Sequence, residues 1–131
     1  MLCAAVLVAG CGAEHGPPLS VQDVELTDPM PGRSMSAGYL VFDNRGDTPV
    51  TITRVTSPQY GKVEMHETRI EDGISRMRKL PELVVDAGSR VSFERGGKHL
   101  MLMRADDDLS IVTLNFYNHD LLVLSTTVRR D

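Results

Sequence analysis

The period of the apolar residues constrains this chain more than any other feature. From Leu19 onward they recur at every second position, and turn-forming residues interrupt them about every 8–12 residues. Leu19 to Leu26 alternates until Thr27-Asp28-Pro29 and Pro31-Gly32 break it, and Gly38 to Phe42 ends at Asp43-Asn44-Arg45-Gly46. Val50 to Val55, Val63 to Ile70, Ile74 to Leu80 and Leu83 to Val85 read as further strands. Arg90 to Phe93, His99 to Met103, Ser110 to Tyr117 and Leu121 to Val128 complete the set. No stretch of ten residues holds a helical period, and β-branched residues dominate the apolar positions. Short strands at this spacing predict an all-β domain, a Greek-key β-sandwich or barrel.

Length and composition bound the function. A chain of 131 residues, 41% apolar and 24% charged, has room for one domain with a real core. A net charge of −4 without a basic run argues against a nucleic-acid partner. The apolar run from Met1 to Gly10 is half the length of a membrane-spanning helix, which needs about 20 residues. Both cysteines, Cys3 and Cys11, lie in this first segment, so thiolate chemistry is excluded from the body of the chain.

Residues 1–11 read as an address. An apolar stretch runs into small residues and then Cys11, as at the end of a secretory signal. Leu7-Val8-Ala9-Gly10-Cys11 resembles the lipobox of bacterial lipoproteins, which makes Cys11 the expected lipidation site and mature N-terminus. The alternative is an ordinary signal peptide with an incidental cysteine. No Lys or Arg precedes Arg33, so the true start is expected upstream of Met1. Residues 12–18 form a polar tether, stiffened by Pro17-Pro18 and carrying His15 as a bystander. Residues 19–131 form the domain.

One hairpin can be placed in register. Asp72-Gly73 between two strand-like runs signals a two-residue type I′ turn. That loop pairs Glu71 with Ile74, Ile70 with Ser75, Thr68 with Met77 and His66 with Lys79. His66 and Met77 become diagonal neighbours on one face, about 7–8 Å apart at the backbone. Alternation sends Val63 and Met65 inward and Glu64, His66 and Thr68 outward. The segment His99 to Met103 repeats the logic, with Leu100 and Leu102 buried and His99, Met101 and Met103 on the opposite face. Methionine on a strand's outer face is odd, because a thioether gains nothing from water.

Two readings follow. The outward His and Met residues either form a metal site or pack under a loop. Thioether sulfur is soft and selects Cu(I), and imidazole suits copper as well. Two His and two Met give a neutral shell around a monovalent ion. In an oxidising extracytoplasmic space thiolates become disulfides, and methionine is the soft ligand that persists.

The spacing of these residues carries a resemblance. His66, ten residues, Met77, twenty-one residues, His99, one residue, Met101 is similar to the H-x10-M-x21-H-x-M signature of the PCu(A)C-type periplasmic copper chaperones. Val63 to Thr68, Asp72-Gly73, Met77-Arg78, Asp86-Ala-Gly88, Gly96-Gly97 and His99 to Met103 follow that family as well, and the resemblance spans Leu19 to Val128. It implies a cupredoxin-like β-sandwich binding one Cu(I) through His66, Met77, His99 and Met101. It further implies a metallochaperone that supplies copper to cytochrome c oxidase, with a Sco-type thioredoxin-fold protein and the oxidase's copper-bearing subunit as partners. Copper scavenging for tolerance, or a metal-free adhesion or assembly module on the same sandwich, are the alternatives.

The remaining candidates read as structural. Met103 follows the motif as a packing residue, with substitute ligation as its functional alternative. Glu64 and Thr68 either orient His66 or simply face solvent. Met30 and Met35 bracket the Pro31-Gly32 turn and are expected to cover a loop, with a methionine-lined docking rim as the alternative. Asp106-Asp107-Asp108 is a solvated acidic turn, and Asn118-His119-Asp120 makes His119 an exposed turn residue. Gly96-Gly97 is expected to supply the left-handed conformations that return His99 toward the hairpin. No arrangement of catalytic residues has supporting context, so the chain reads as a carrier rather than an enzyme.

Overall fold

The structure, a computed structural model, describes residues 18–29 and 31–130. The expected lipidation residue Cys11, the tether with His15, and Met30 lie outside the described residues. Among the described residues there are eleven strands and no helix. They are β1 (Leu19–Leu26), β2 (Met35–Asn44), β3 (Val50–Ile52), β4 (Arg54–Ser57), β5 (Tyr60–Glu71) and β6 (Ile74–Lys79). The rest are β7 (Leu83–Val85), β8 (Arg90–Phe93), β9 (Lys98–Ala105), β10 (Ile111–Asn118) and β11 (Leu121–Arg129).

Nine strands form one hydrogen-bonded sheet in the order β1-β2-β9-β5-β4-β10-β11, with β8 added to β2 and β6 to β5. β3 and β7 pair separately as a short ribbon. Because β9 inserts between β2 and β5, the connections cross over as in a Greek key. The sheet wraps around its core until its ends approach each other. Arg130, just past β11, reaches the Leu26 carbonyl at the end of β1 and the Asp28 carboxylate. This is the cupredoxin-like β-sandwich, with a sheet that nearly closes.

Alternation explains the interior. The inward residues of β2, β9 and β10 (Leu40 and Phe42, Leu100 and Leu102, Val112, Leu114 and Phe116) are almost wholly excluded from solvent. Phe42 lies at the centre, edge-on to Phe93 at 5.5 Å and to Phe116 at 5.2 Å between ring centroids. Such pairs add about 0.5–1.5 kcal/mol beyond the area they bury. Asn44 is the most deeply buried of the polar residues. Its amide donates to the carbonyls of Thr48 (2.9 Å) and Val85 (3.0 Å), tying the β3–β7 ribbon to the end of β2.

Gly38 decides how closely β9 can approach β2. It pairs with Leu100, and a Cβ there would sit 3.1 Å from Leu100 Cβ and 3.1 Å from Leu26 Cδ2. Only a residue without a side chain lets the strand carrying His99 seat at this depth.

Two expectations need correction. Val50 to Val55 is not one strand, for it divides at Thr53 into β3 and β4. The Thr53 amide donates to the Tyr117 carbonyl at 2.8 Å and its hydroxyl accepts from the His119 amide at 2.6 Å, so the chain leaves the ribbon there and joins the main sheet. Of the Gly96-Gly97 pair, only Gly96 is left-handed, at φ +81°. Gly97 contributes its carbonyl, which accepts from the Thr68 amide at 3.0 Å and fastens the turn to β5.

Candidate metal centre

The β5–β6 hairpin has the register read from the sequence. Asp72 and Gly73 both take positive φ (53° and 78°), as a type I′ turn requires. His66 pairs with Lys79, Thr68 with Met77, Ile70 with Ser75 and Glu71 with Ile74. Met77 is therefore diagonal to His66 and lies 53% exposed on the outer face.

On the other flank of β5 runs β9, whose register the sequence did not specify. His66 pairs directly with His99, and Glu64 with Met101. Inward Leu100 and Leu102 are fully buried, and Met101 and Met103 are half-buried on the outer side. His66 thus occupies a hub, with His99 opposite it and Met77 and Met101 at two diagonal positions. Diagonal neighbours in an antiparallel pair lie about 7–8 Å apart, within the reach of long side chains. The two imidazole rings lie side by side, 5.8 Å apart between centroids and tilted by 43°.

Each ring is held by its surroundings. Nε2 of His66 lies 2.7 Å from a carboxylate oxygen of Glu64. Its other nitrogen, Nδ1, is buried without a hydrogen-bond partner. A buried polar atom left unpaired is costly, and ligation is one way to satisfy it. Nδ1 of His99 lies 3.3 Å from the Gly97 carbonyl, which leaves its Nε2 as the free coordinating atom. Though it sits on the outer face, His99 is only 7% exposed, since it lies mid-sheet beside the His66 ring.

Glu64 is the electrostatic centre of this face. Its carboxylate also meets Lys62 at 3.0 Å and Lys79 at 3.5 Å. The hydrogen bond from His66, and then the two ammonium groups, hold its carboxyl down at about 2. It stays an anion throughout the physiological range, orienting His66 without an added proton. The sequence left Glu64 open between orienting His66 and facing solvent; Lys62 precedes it on the same strand, and only Lys79 reaches it across the hairpin.

Among the described residues, no group of three or more His, Cys, Asp and Glu is arranged to hold a metal ion. A cleft of about 530 Å³ opens where β4 and β6 part along β5, lined by Arg54, Tyr60, Lys62, Glu64 and Lys79. His66, His99, Met77 and Met101 are not in its walls. Asp106 to Asp108 is an exposed turn, and His119 is an exposed turn residue at φ 52°.

The LpqE-like family, described as "Putative lipoprotein LpqE-like", matches residues 19–123. A curated relative, "Uncharacterized protein RP573" of Rickettsia prowazekii (strain Madrid E), is 24% identical over 104 residues. The chain spans 58% of that relative's length. Among solved structures, the fold matches the copper-bound PCuAC domain from PmoF2 at TM-score 0.65 and 16% identity, over 86% of this chain and 89% of that one. It matches the apo PCuAC domain from PmoF1 at 0.67 and 17%, over 87% and 93%. The solution structure of apo-DR1885 from Deinococcus radiodurans matches at 0.63 and 22%, over 98% and 87%. The sequence signature had anticipated this neighbourhood. By its sequence over residues 19–123 the chain belongs to the LpqE-like family, and its fold is that of PCuAC domains.

Proposed function

We propose that this protein is an extracytoplasmic copper carrier that binds one Cu(I) through His66, Met77, His99 and Met101. The observation that carries the reading is the hub geometry. A histidine pair at 5.8 Å, with the buried Nδ1 of His66 unpaired, is flanked by two diagonal methionines on one outer face. Two imidazoles and two thioethers make a neutral, soft shell that favours Cu(I) over Cu(II). The copper-bound state of a PCuAC domain of the same fold supports copper as the metal.

A site open on one side suits a carrier. His99 and Nδ1 of His66 are buried, but Met77 is 53% exposed, so exchange with a recipient can begin at the thioether, whereas a fully buried cage would trap the ion. Met77 stands on a hairpin whose second strand is exposed along its whole length, so it is the ligand a docking partner reaches first. The proposed recipient is the copper centre of cytochrome c oxidase, with a Sco-type thioredoxin-fold partner, and Cys11 is the proposed lipid anchor.

The test is Cu(I) competition against a chromogenic chelator, with the two cysteines blocked by N-ethylmaleimide. One tight equivalent, lost in a His66→Asn/Met77→Leu variant, is the expected result. No tight binding would leave a metal-free assembly module. Oxidase activity of a deletion strain at limiting copper then separates delivery from tolerance: a defect cured by added copper supports delivery.

A further inference from the structure

The outer face carries more sulfur than the four-ligand site uses. Beyond Met101, β9 presents Met103, and β2 presents Met35. The register sets Met35 directly opposite Met103, and Met101 opposite Ala37. Met35 is therefore also the diagonal neighbour of Met101, and the three methionines occupy three corners of a square whose fourth is the short side chain of Ala37. Side chains directly opposite in an antiparallel pair have Cβ atoms about 4.5–5.5 Å apart, so the two thioethers of Met35 and Met103 reach a common point.

Packing does not account for this pair. The interior beneath β9 is already filled by Leu100 and Leu102, and Met35 is 39% exposed. An exposed thioether gains nothing from water, yet as a soft donor it binds monovalent d10 ions. The flanking charge does not forbid a cation there. Lys62 is the partner of Met103 on β5, but its ammonium is drawn along the strand to Glu64 at 3.0 Å.

We propose that Met35 and Met103 form a second soft-metal site, adjoining the first through Met101, on which Cu(I) lands before passing to His66 and His99. Passage is ligand exchange at constant oxidation state. A bond to Met101 sulfur forms as the bond to Met35 breaks, then a bond to His99 nitrogen forms as Met103 leaves. The existence of the thioether site stands on its own geometry, and only the transfer rests on the carrier reading.

The experiment is a titration of the full chain, cysteines blocked with N-ethylmaleimide and methionines labelled with ¹³C at the methyl group. The probe is Ag(I), which shares the softness and charge of Cu(I) and does not change oxidation state. Single Met→Leu variants assign the signals. The first equivalent should move the Met77 and Met101 methyls, and a second, weaker one should move Met35 and Met103. A Met35→Leu/Met103→Leu variant should keep the first equivalent and lose the second. Met35 and Met103 signals that stay fixed through two equivalents would overturn the proposal, as would a second equivalent that survives in the double variant. The wild-type shifts decide the matter even if that variant folds poorly. Shifts at Met35 and Met103 without any at Met77 and Met101 would sink the four-ligand reading and leave this site standing.

Discussion

The carboxylate of Glu64 holds Nε2 of His66 at 2.7 Å, so the nitrogen left to coordinate is Nδ1, buried between β6 and β9. Removing this partner should free the ring to rotate without removing any ligand. Partners that orient ligating histidines are worth about 10–100-fold in metal affinity. Glu64→Ala is expected to lose Cu(I) affinity in that range, and Glu64→Gln, which still accepts a hydrogen bond, to lose less. Chelator competition on both variants checks the order; equal affinity in all three proteins would remove Glu64 from the site.

The same carboxylate makes apo stability depend on pH. Its pKa is lowered from 4.5 to about 2, chiefly by the His66 hydrogen bond and then by Lys62. A carboxylate whose folded pKa is depressed adds stability that is present above about 4.5 and is lost as pH falls through about 2. Urea midpoints measured between pH 5 and 2 should fall more steeply for the wild type than for Glu64→Gln. Parallel slopes would mean the interaction contributes nothing to folding.

Met101→Leu and Met77→Leu preserve volume and remove sulfur. Each side chain lies on the outer face, so thermal unfolding should change little. Cu(I) affinity should fall about tenfold or more for each, with 1.4 kcal/mol for every factor of ten. A variant that binds as tightly as the wild type would strike its residue from the ligand set.

Proton competition offers an independent check. Imidazole ligates only when deprotonated, whereas a thioether carries no proton to lose. With free imidazole titrating at about 6.5, Cu(I) affinity should weaken below about pH 6 and level off above about 7. An affinity constant from pH 5 to 8 would exclude histidine ligation.

Gly38→Ala tests the seating of β9. The added Cβ would meet Leu100 Cβ and Leu26 Cδ2 at 3.1 Å, and Leu102 Cδ1 at 3.2 Å, all in the packed interior. Overpacking of this kind costs about 1–3 kcal/mol. Chemical denaturation should record that loss; an unchanged midpoint would mean the strands can part without cost.

What the sequence determined by itself was local. Alternation assigned Leu100 and Leu102 inward and His99 and Met101 outward, because successive strand residues point to opposite faces. Asp72-Gly73 set the pairing of Thr68 with Met77, because two left-handed residues admit only one tight turn. Only the tertiary structure decided that His99 lies opposite His66, that Met35 lies opposite Met103, and that Thr53 divides a strand. Those neighbours are set by strand order in a sheet that wraps almost upon itself. That order follows from how the whole core packs, and no short stretch of chain encodes it.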